Sequence, residues 1–486
     1  MPHVAALPES LKHIHIMGIA GTAMGALAGM LVDAGYLVTG SDKAVYPPMS
    51  DYLAALGIQV KEGFLASNLE PRPDLVVVGN VVRAVYEEAE ALLASDIPYM
   101  SFPEVLGHLF LAESHSVVIA GTHGKTTTTA VTAHLCEQAG LEPGFLIGGI
   151  AKNFDRTARP GAGKVFVIEG DEYDTAFFDK GPKFLHYRPQ TVVLTSVEFD
   201  HADIYRDLDH VKESFRKLMA ILPAEGRLVV RGDDPGAMDV AQGARCRVET
   251  YGPGQRWDGR IEGFDTARGT MRFTVSCDGQ DVGTYDSGLV GEHNLYNQVA
   301  AVVATLSAAE ATGGEVTSTA AAESLPAAFD SFAGIKRRQE VIGEPGGITV
   351  IDDFAHHPTA VKVTLQALRQ RYGSRRLWAV WEPRSATSRR NTFQKDYALA
   401  FDDANLVVIA MPYDQSGIPE DDRMNVNQLM MDLQVRGVDA ICLDTAHTIA
   451  RTIAARSHPA DVVAILSNGG FDGLHGRLLQ MLEDRF

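Results

Sequence analysis

The sequence is poor in cysteine, in positive charge and in long apolar runs. Its four cysteines, Cys136, Cys246, Cys277 and Cys442, stand far apart and form no CxxC pair. That spacing argues against a disulfide framework and a cysteine zinc site, and it suits a reducing compartment. No apolar stretch approaches the ~20 residues that a membrane span needs. The opening MPHVAALPESLKHIHIMG has no charged start, apolar core or small-residue cleavage site, so no secretory signal is expected. Lys and Arg total 43 against 62 Asp and Glu, a formal net charge of −19. This excess argues against broad nucleic-acid or membrane-surface binding, but it leaves room for a local basic pocket that takes a small anion. Low-complexity tracts and fixed-period repeats are missing too. What remains is ordinary for a soluble globular protein: 486 residues, 45% hydrophobic and 22% charged. At roughly 100–200 residues per domain, two to four domains are expected.

Along the chain, short apolar strands alternate with helical stretches, the pattern of parallel α/β sheets. The first segment reads as strand His13–Met17, loop Gly18-Ile-Ala-Gly21-Thr-Ala-Met24-Gly25, a helix reaching Asp33, and strand Tyr36–Thr39 followed by Ser41 and Asp42. Asp74–Gly79 supplies a third strand. A second α/β segment runs through strands Ser116–Ala120, Val165–Glu169, Thr191–Ser196 and Arg227–Val230. A polar, glycine-rich β section over 247–290 and a helix over Asn294–Ala311 follow. A third segment opens near Ser331 with strands Ile348–Asp353, Arg376–Glu382, Leu406–Pro412 and Val462–Asn468. Boundaries near residues 114 and 331 thus divide the chain into 1–114, 115–330 and 331–486.

Gly121-Thr122-His123-Gly124-Lys125-Thr126-Thr127 follows an apolar strand and opens a helix, the setting of a phosphate loop. Glycines let backbone N–H groups approach phosphate oxygens, and the helix N-terminus adds positive potential. Lys125 can reach nucleotide β and γ phosphates, and the Thr126 hydroxyl can ligate Mg²⁺. Position 119 is Ile, so the loop is the shorter G-x-x-G-K-T form. A mere glycine turn at a helix start does not explain why strand, glycines, Lys and Thr coincide. Glu169 ends the following strand, and Asp200-His201 lies beyond Thr191–Ser196. Ligands of open α/β sheets bind outside the carboxyl ends of strands. Glu169 and His201 are therefore expected on the loop's sheet edge, as ligands of Mg²⁺. Asp171, Glu172 and Asp174 admit two readings, an acidic cluster at the site or a solvated, helix-capping turn. By spacing alone, the glycine loop at 18–25 with Asp42 about twenty residues on also allows a dinucleotide site.

GTHGKTTTT, EGDEYD, EFDH, GEHNLYNQVAA and IDDFAHHP occur in that order. Together they resemble the Mur ligases, the ATP-dependent amide-bond ligases of peptidoglycan metabolism. The resemblance runs from about residue 13 to the C-terminus. It implies an α/β fold in three domains: N-terminal Rossmann-like and UDP-binding, central P-loop ATPase-like, and C-terminal Rossmann-like. ATP and Mg²⁺ are the implied cofactors. GxxGxxMG and DD-aromatic-small-HHP look like the branch that adds L-alanine to UDP-N-acetylmuramate. EGDEYDTAFFDK (169–180), KFLHYRP and SNGGFDGLHGRLL resemble instead the branch that attaches the tripeptide L-Ala-γ-D-Glu-meso-diaminopimelate. In the alanine branch the first of these stretches is shorter and reads DESD. The expected activity is tripeptide ligation through an acyl phosphate, with alanine ligation as the alternative. A non-catalytic, nucleotide-gated binding protein is the remote one.

The resemblance also assigns residues. Gly18, Gly21 and Met24 would lie in the uridine-diphosphate loop, with Ser41 and Asp42 nearby. Gly121 to Thr127 would hold ATP phosphates, with Thr126 on Mg²⁺; Glu169 and His201 would hold a second Mg²⁺; and Lys125, Glu169 and His201 would carry the catalysis. His293, Asn294 and Asn297 would border the adenine, Arg337 or Arg338 would contact the nucleotide, and Asp352 or Asp353 the ribose. His356 and His357 would face the cleft. Arg384, Arg389 and Arg390 would take the peptide's carboxylates. Many Mur ligases carry a carbamylated lysine after the metal-binding His. Lys212 and Lys217 match that position poorly, so none is expected.

Overall fold

The computed structural model describes residues 6–46, 49–202 and 204–485. Two compact units emerge, one built from 1–197, 211–257 and 298–328, the other from 198–210, 258–297 and 329–486.

The first unit holds two sheets. Strands β1 (His13–Met17), β2 (Leu37–Asp42), β3 (Val60–Glu62), β4 (Leu75–Val78) and β5 (Tyr99–Ser101) lie parallel in the order β3-β2-β1-β4-β5. Strand order reverses at β1, so the loop leaving it sits at a topological switch point, where such sheets bind ligands. The helix Thr22–Asp33 follows that loop and is buried through most of its Ala/Leu/Met-rich length. The strand expected over Tyr36–Thr39 instead runs to Asp42, because Gly40 and Ser41 pair in register with Ile16 and Met17. Ser41 and Asp42 are therefore strand residues at a sheet edge.

The second sheet uses β6 (His115–Ala120), β7 (Gly144–Ala151), β8 (Arg156–Arg159) and β9 (Val165–Gly170). After the hairpin β10 (Asp174–Ala176) and β11 (Asp179–Pro182), it continues with β12 (Thr191–Leu194), β13 (Arg227–Arg231) and β14 (Arg247–Tyr251). Their order is β14-β13-β12-β6-β9-β7-β8, with β7–β8 antiparallel. The chain leaves β6 toward β7–β9 and returns on the other side at β12, which makes a second switch point at the end of β6.

In the second unit, β15 (Trp257–Asp265), β16 (Thr270–Cys277) and β17 (Gln280–Ser287) form a meander. The remaining strands, β18 (Glu340–Gly343), β19 (Thr349–Asp353), β20 (Leu377–Trp381), β21 (Leu406–Ala410), β22 (Asp439–Leu443) and β23 (Val462–Leu466), take the order β18-β19-β23-β20-β21-β22. Alternate residues feed two apolar cores. Ile351, Ala379, Trp381 and Leu466 face one, and Val350, Trp378, Val380 and Ile465 face the other. Burial on both faces is why these strands read as unbroken apolar runs. The helix expected over Asn294–Ala311 extends over Glu292–Ser331 and is interrupted at Gly314. Among the described residues no helix is long and apolar enough to cross a membrane.

Candidate active site

The end of β6 turns sharply at Gly121, whose φ is 129°. A side chain there would collide with Thr195 Oγ1 and stand 2.9 Å from the Ser196 nitrogen. The loop is laced to the segment leaving β12: Thr122 N donates to Ser196 O at 2.9 Å, and His123 N donates to Ser196 Oγ at 3.0 Å. Gly124, left-handed with φ 80°, precedes the helix Lys125–Gln138 and brings no side-chain cap. The helix therefore presents its first N–H groups at the loop, an arrangement that favours anions.

Lys125 is buried at 8% exposure and donates to Gly121 O at 2.6 Å and to Glu172 Oε2 at 3.0 Å. Burial alone would lower its pKa. The carboxylates of Glu172, Asp171 and Glu169 outweigh that and hold the ammonium above its usual value, so it stays charged. Thr126 Oγ1 donates to Glu169 Oε1 at 2.9 Å, and Gly148 N donates to Glu169 Oε2 at 2.7 Å. A hydroxyl and a carboxylate thus converge beside the loop, the hard oxygen donors that Mg²⁺ prefers.

The acidic turn divides between its residues. Glu172 is buried at 3% exposure and paired with Lys125, whereas Asp171 pairs with Lys183 at 3.1 Å and Asp174 with Lys180 at 3.2 Å. No helix follows; the turn runs into the β10–β11 hairpin instead. At the hairpin tip, Phe177 and Phe178 pack against the core that contains Met17, Val78 and Tyr99. Phe178 meets Tyr99 edge-on, with centroids 5.0 Å apart. The paired aromatics at 177–178 were the sequence signal for this docking, because a solvated turn has no use for them.

At the end of β1, Gly18 N and Ile19 N donate to Ser41 O at 2.8 and 3.2 Å, and Gly21 N donates to Gly18 O at 3.3 Å. Ala20 N donates to Asp42 Oδ2 at 2.9 Å. Met24 is buried behind the turn. The Ser41 hydroxyl departs from expectation. It is fully buried and donates to Glu88 Oε1 at 3.0 Å, so only its carbonyl serves the loop. Glu88 also accepts from Asn68 Nδ2 at 2.9 Å and meets His15 Nε2 at 2.7 Å. Glu88 was invisible in the sequence, where it sits in the acidic run EEAE and reads as solvated.

The second unit holds the other expected residues. His201 has φ 55°, and its N–H donates to Asp200 Oδ1 at 2.7 Å. Asp200 is buried and accepts from Thr387 Oγ1 at 2.7 Å. Burial opposes its ionisation, but His201, His356, His357 and Thr387 hold it well below the usual carboxylate range. Asn294 Nδ2 donates to Val290 O at 2.9 Å, and Asn297 Nδ2 donates to Asn294 Oδ1 at 3.2 Å. Burial brings neighbouring His293 down to about 4.

Arg337 Nη2 donates to Ser467 O at 2.6 Å and Gly469 O at 2.7 Å, with its Nε 3.3 Å from Asp352. Asp353 accepts backbone N–H bonds from Gln339 at 2.7 Å and Ala355 at 2.8 Å. It is buried, and both oxygens hold the local chain. His357 caps the helix Pro358–Tyr372, with Thr359 N donating to its Nδ1 at 3.3 Å, and it is buried beside Phe393. It acts first as a helix cap. Arg389 gives N–H bonds to the carbonyls of Ser385 and Asp414. Arg390 Nε is buried without a hydrogen-bond partner among the described residues. Arg384 differs from both, because its partner is a carboxylate, Glu382 Oε1 at 3.2 Å.

Known proteins share this arrangement. Residues 13–114 match the Mur ligase family, catalytic domain; residues 119–305 match the Mur ligase middle domain; and residues 337–469 match the Mur ligase, glutamate ligase domain. The chain is 40% identical over 480 residues to the UDP-N-acetylmuramate--L-alanyl-gamma-D-glutamyl-meso-2,6-diaminoheptandioate ligase of Escherichia coli, covering 97% of this chain and 98% of that one. It is 31% identical over 470 residues to the UDP-N-acetylmuramate--L-alanine ligase of an Anaeromyxobacter species, covering 97% and 98%. The crystal structure of a murein peptide ligase from Psychrobacter arcticus matches with a TM-score of 0.68 at 34% identity, covering 97% of this chain and 99% of that one.

Proposed function

This chain belongs to the Mur ligase family, ligases that use ATP to form C–N bonds, and from that premise we propose that it joins UDP-N-acetylmuramate to L-Ala-γ-D-Glu-meso-diaminopimelate. The observation that carries this choice of acceptor is the difference in identity over the same share of the chain. It is 40% to a tripeptide ligase and 31% to an alanine ligase, with 97% of the chain covered in each. The EGDEYDTAFFDK hairpin supports the same choice. We assign 1–114 to the sugar nucleotide, 115–330 to ATP and 331–486 to the peptide. The cytoplasm, which holds ATP and UDP-sugars, is its place of work.

A carboxylate is a poor acylating agent. Transfer of the ATP γ-phosphoryl group to the carboxylate of UDP-N-acetylmuramate releases ADP and leaves an acyl phosphate. The peptide amine then attacks the acyl carbon, the C–N bond forms, phosphate leaves and the amine sheds a proton. Lys125 enters this sequence already charged. In the resting protein it is paired with Glu172, and it exchanges that carboxylate for phosphate oxygens when nucleotide binds. Gly121 to Gly124 and the helix start cradle the phosphates. Thr126 and Glu169 fit magnesium by their donor chemistry, and His201 is assigned to a second ion. The ion neutralises phosphate charge when bound. Much of the acceleration comes from holding three reactants in line.

The test is a competition. With UDP-N-acetylmuramate, ATP and Mg²⁺ present, tripeptide and L-alanine are offered together and the products are weighed. The expected product is almost entirely the tripeptide adduct. Preferential alanine addition would move the chain to the other branch of the family.

A further inference from the structure

We propose that Glu382, Tyr413, Ser467 and Gly469 form a clamp that fixes Arg384 in the orientation in which it takes a carboxylate of the incoming peptide. The proposal rests on the tripeptide reading and adds positioning residues to it. The motif SNGGFDGLHGRLL had no role in the chemistry above, and two of its residues, Ser467 and Gly469, now acquire one.

The clamp draws on the carboxyl ends of three strands. Arg384 follows β20, and its Nη1 donates to Glu382 Oε1 at 3.2 Å. Its guanidinium lies over the ring of Tyr413, beyond β21, 4.1 Å from the centroid. A cation over an aromatic face is attracted by the ring quadrupole. Tyr413 is itself tied back, its N–H donating to Pro383 O at 3.0 Å. The second oxygen of Glu382 accepts from Ser467 Oγ at 2.5 Å, and Gly469 N donates to that same Oγ at 2.9 Å. Glu382 is 5% exposed, so its charge is tolerable only because Arg384 and Ser467 satisfy it.

Gly469 closes the clamp. A Cβ there would overlap Arg384 Cδ and Nε and lie 2.8 Å from Cζ. Only the bare glycine backbone lets the arginine lie flat against the loop. A guanidinium carries five N–H donors, and among the described residues Arg384 spends one. Its side chain is 29% exposed. The remaining donors form a fork of the kind that grips a carboxylate with two parallel bonds. Arg389, by contrast, spends its donors on main-chain carbonyls.

A double-mutant cycle in the full-length enzyme tests the clamp, with steady-state kinetics in each substrate. Arg384→Ala should raise the tripeptide KM about tenfold or more, the worth of a charge-assisted hydrogen bond. Gly469→Ala should raise it severalfold by pushing Arg384 aside, while the KM for ATP stays within about twofold. The double variant should match Arg384→Ala alone, because the glycine acts through the arginine. Tyr413→Phe keeps the ring face and should behave as wild type, whereas Tyr413→Leu should raise the tripeptide KM. Tyr413 is exposed at 48%, so its variants carry the test if Gly469→Ala fails to fold. Additive effects in the cycle, or an unchanged KM in Gly469→Ala and Tyr413→Leu while Arg384→Ala raises it, overturn the clamp and leave the tripeptide reading standing. An unchanged KM in Arg384→Ala also overturns the clamp. Wild-type preference for L-alanine removes the tripeptide reading itself.

Discussion

Two strand–glycine–helix turns in the first unit share a topology and differ in chemistry. Both leave a strand at a reversal of sheet order, β1 in the first sheet and β6 in the second. The turn after β1 is closed by oxygens. Ser41 O and Asp42 Oδ2 take the N–H groups of Gly18, Ile19 and Ala20, and the helix behind it has no acidic residue in its first turn and no basic one in its last. The turn after β6 is built around a buried cation, with Lys125 held among Glu172, Asp171 and Glu169 and followed by four threonines. A glycine turn at a switch point does not by itself fix a chemistry. Its neighbours decide whether it holds a diphosphate or handles a phosphoryl group in transfer, where charge must be stabilised as it develops.

The largest expected effect comes from removing that cation. Lys125→Ala should lower kcat by about 10³-fold or more while sugar-nucleotide affinity, measured calorimetrically, stays near wild type. The change also strands a buried Glu172, which costs roughly 3–5 kcal/mol of stability. Lys125→Ala combined with Glu172→Gln should recover most of that stability and none of the turnover. Equal loss of sugar-nucleotide binding would erase the distinction between the two turns.

Smaller effects should separate the turns from each other. Gly121→Ala forces a side chain onto φ 129° and into Thr195, at a cost of about 1–3 kcal/mol in thermal unfolding and with weaker ATP binding. Asp42→Ala removes the carboxylate that holds Ala20 N, a loss of about 1 kcal/mol, and should raise the KM of the sugar nucleotide alone. If each variant disturbed both nucleotides alike, the turns would not be separate sites.

The smallest effect is in acid. His134, buried in the helix after the second turn with its Nε2 donating to Ala328 O at 3.0 Å, has its pKa lowered by burial from 6.5. The unfolded chain then binds more protons than the folded one between that depressed value and 6.5, so stability falls as pH drops through 6.5. Urea midpoints should decline less steeply below that pH in His134→Gln than in wild type. The helix after the first turn contains no histidine and does not share the effect. An unchanged acid slope in His134→Gln would sink this assignment.

Local pattern and distant contact played different parts. Central strands such as β6, β12, β19 and β23 were readable because burial on both faces demands an unbroken apolar run. The glycine turn after β6 was readable because its glycines, Lys125 and Thr126 are contiguous. The three-residue strands β3 and β5 offered too little periodicity, since their existence depends on the neighbour that supplies their hydrogen bonds. The hairpin at 174–182 was hidden for the same reason, although its paired phenylalanines pointed to a docking surface.

Composition, hydrophobic period and motif order were enough for the α/β class, the phosphate turn and the kinship with the Mur ligases. Those properties live in neighbouring residues, or in the order of motifs along one chain. The direction of individual polar side chains was decided only by the tertiary structure. Glu88 stands in an acidic run that reads as solvated and Glu172 in one that left two readings open, yet each is buried because a partner many positions away, Ser41 or Lys125, waits for it. Asp353 and His357 sit in a motif whose sequence gives no sign that each also holds its own backbone. A charged or polar group is tolerated in the interior only when satisfied, and the atoms that satisfy it are brought by the fold from anywhere in the chain.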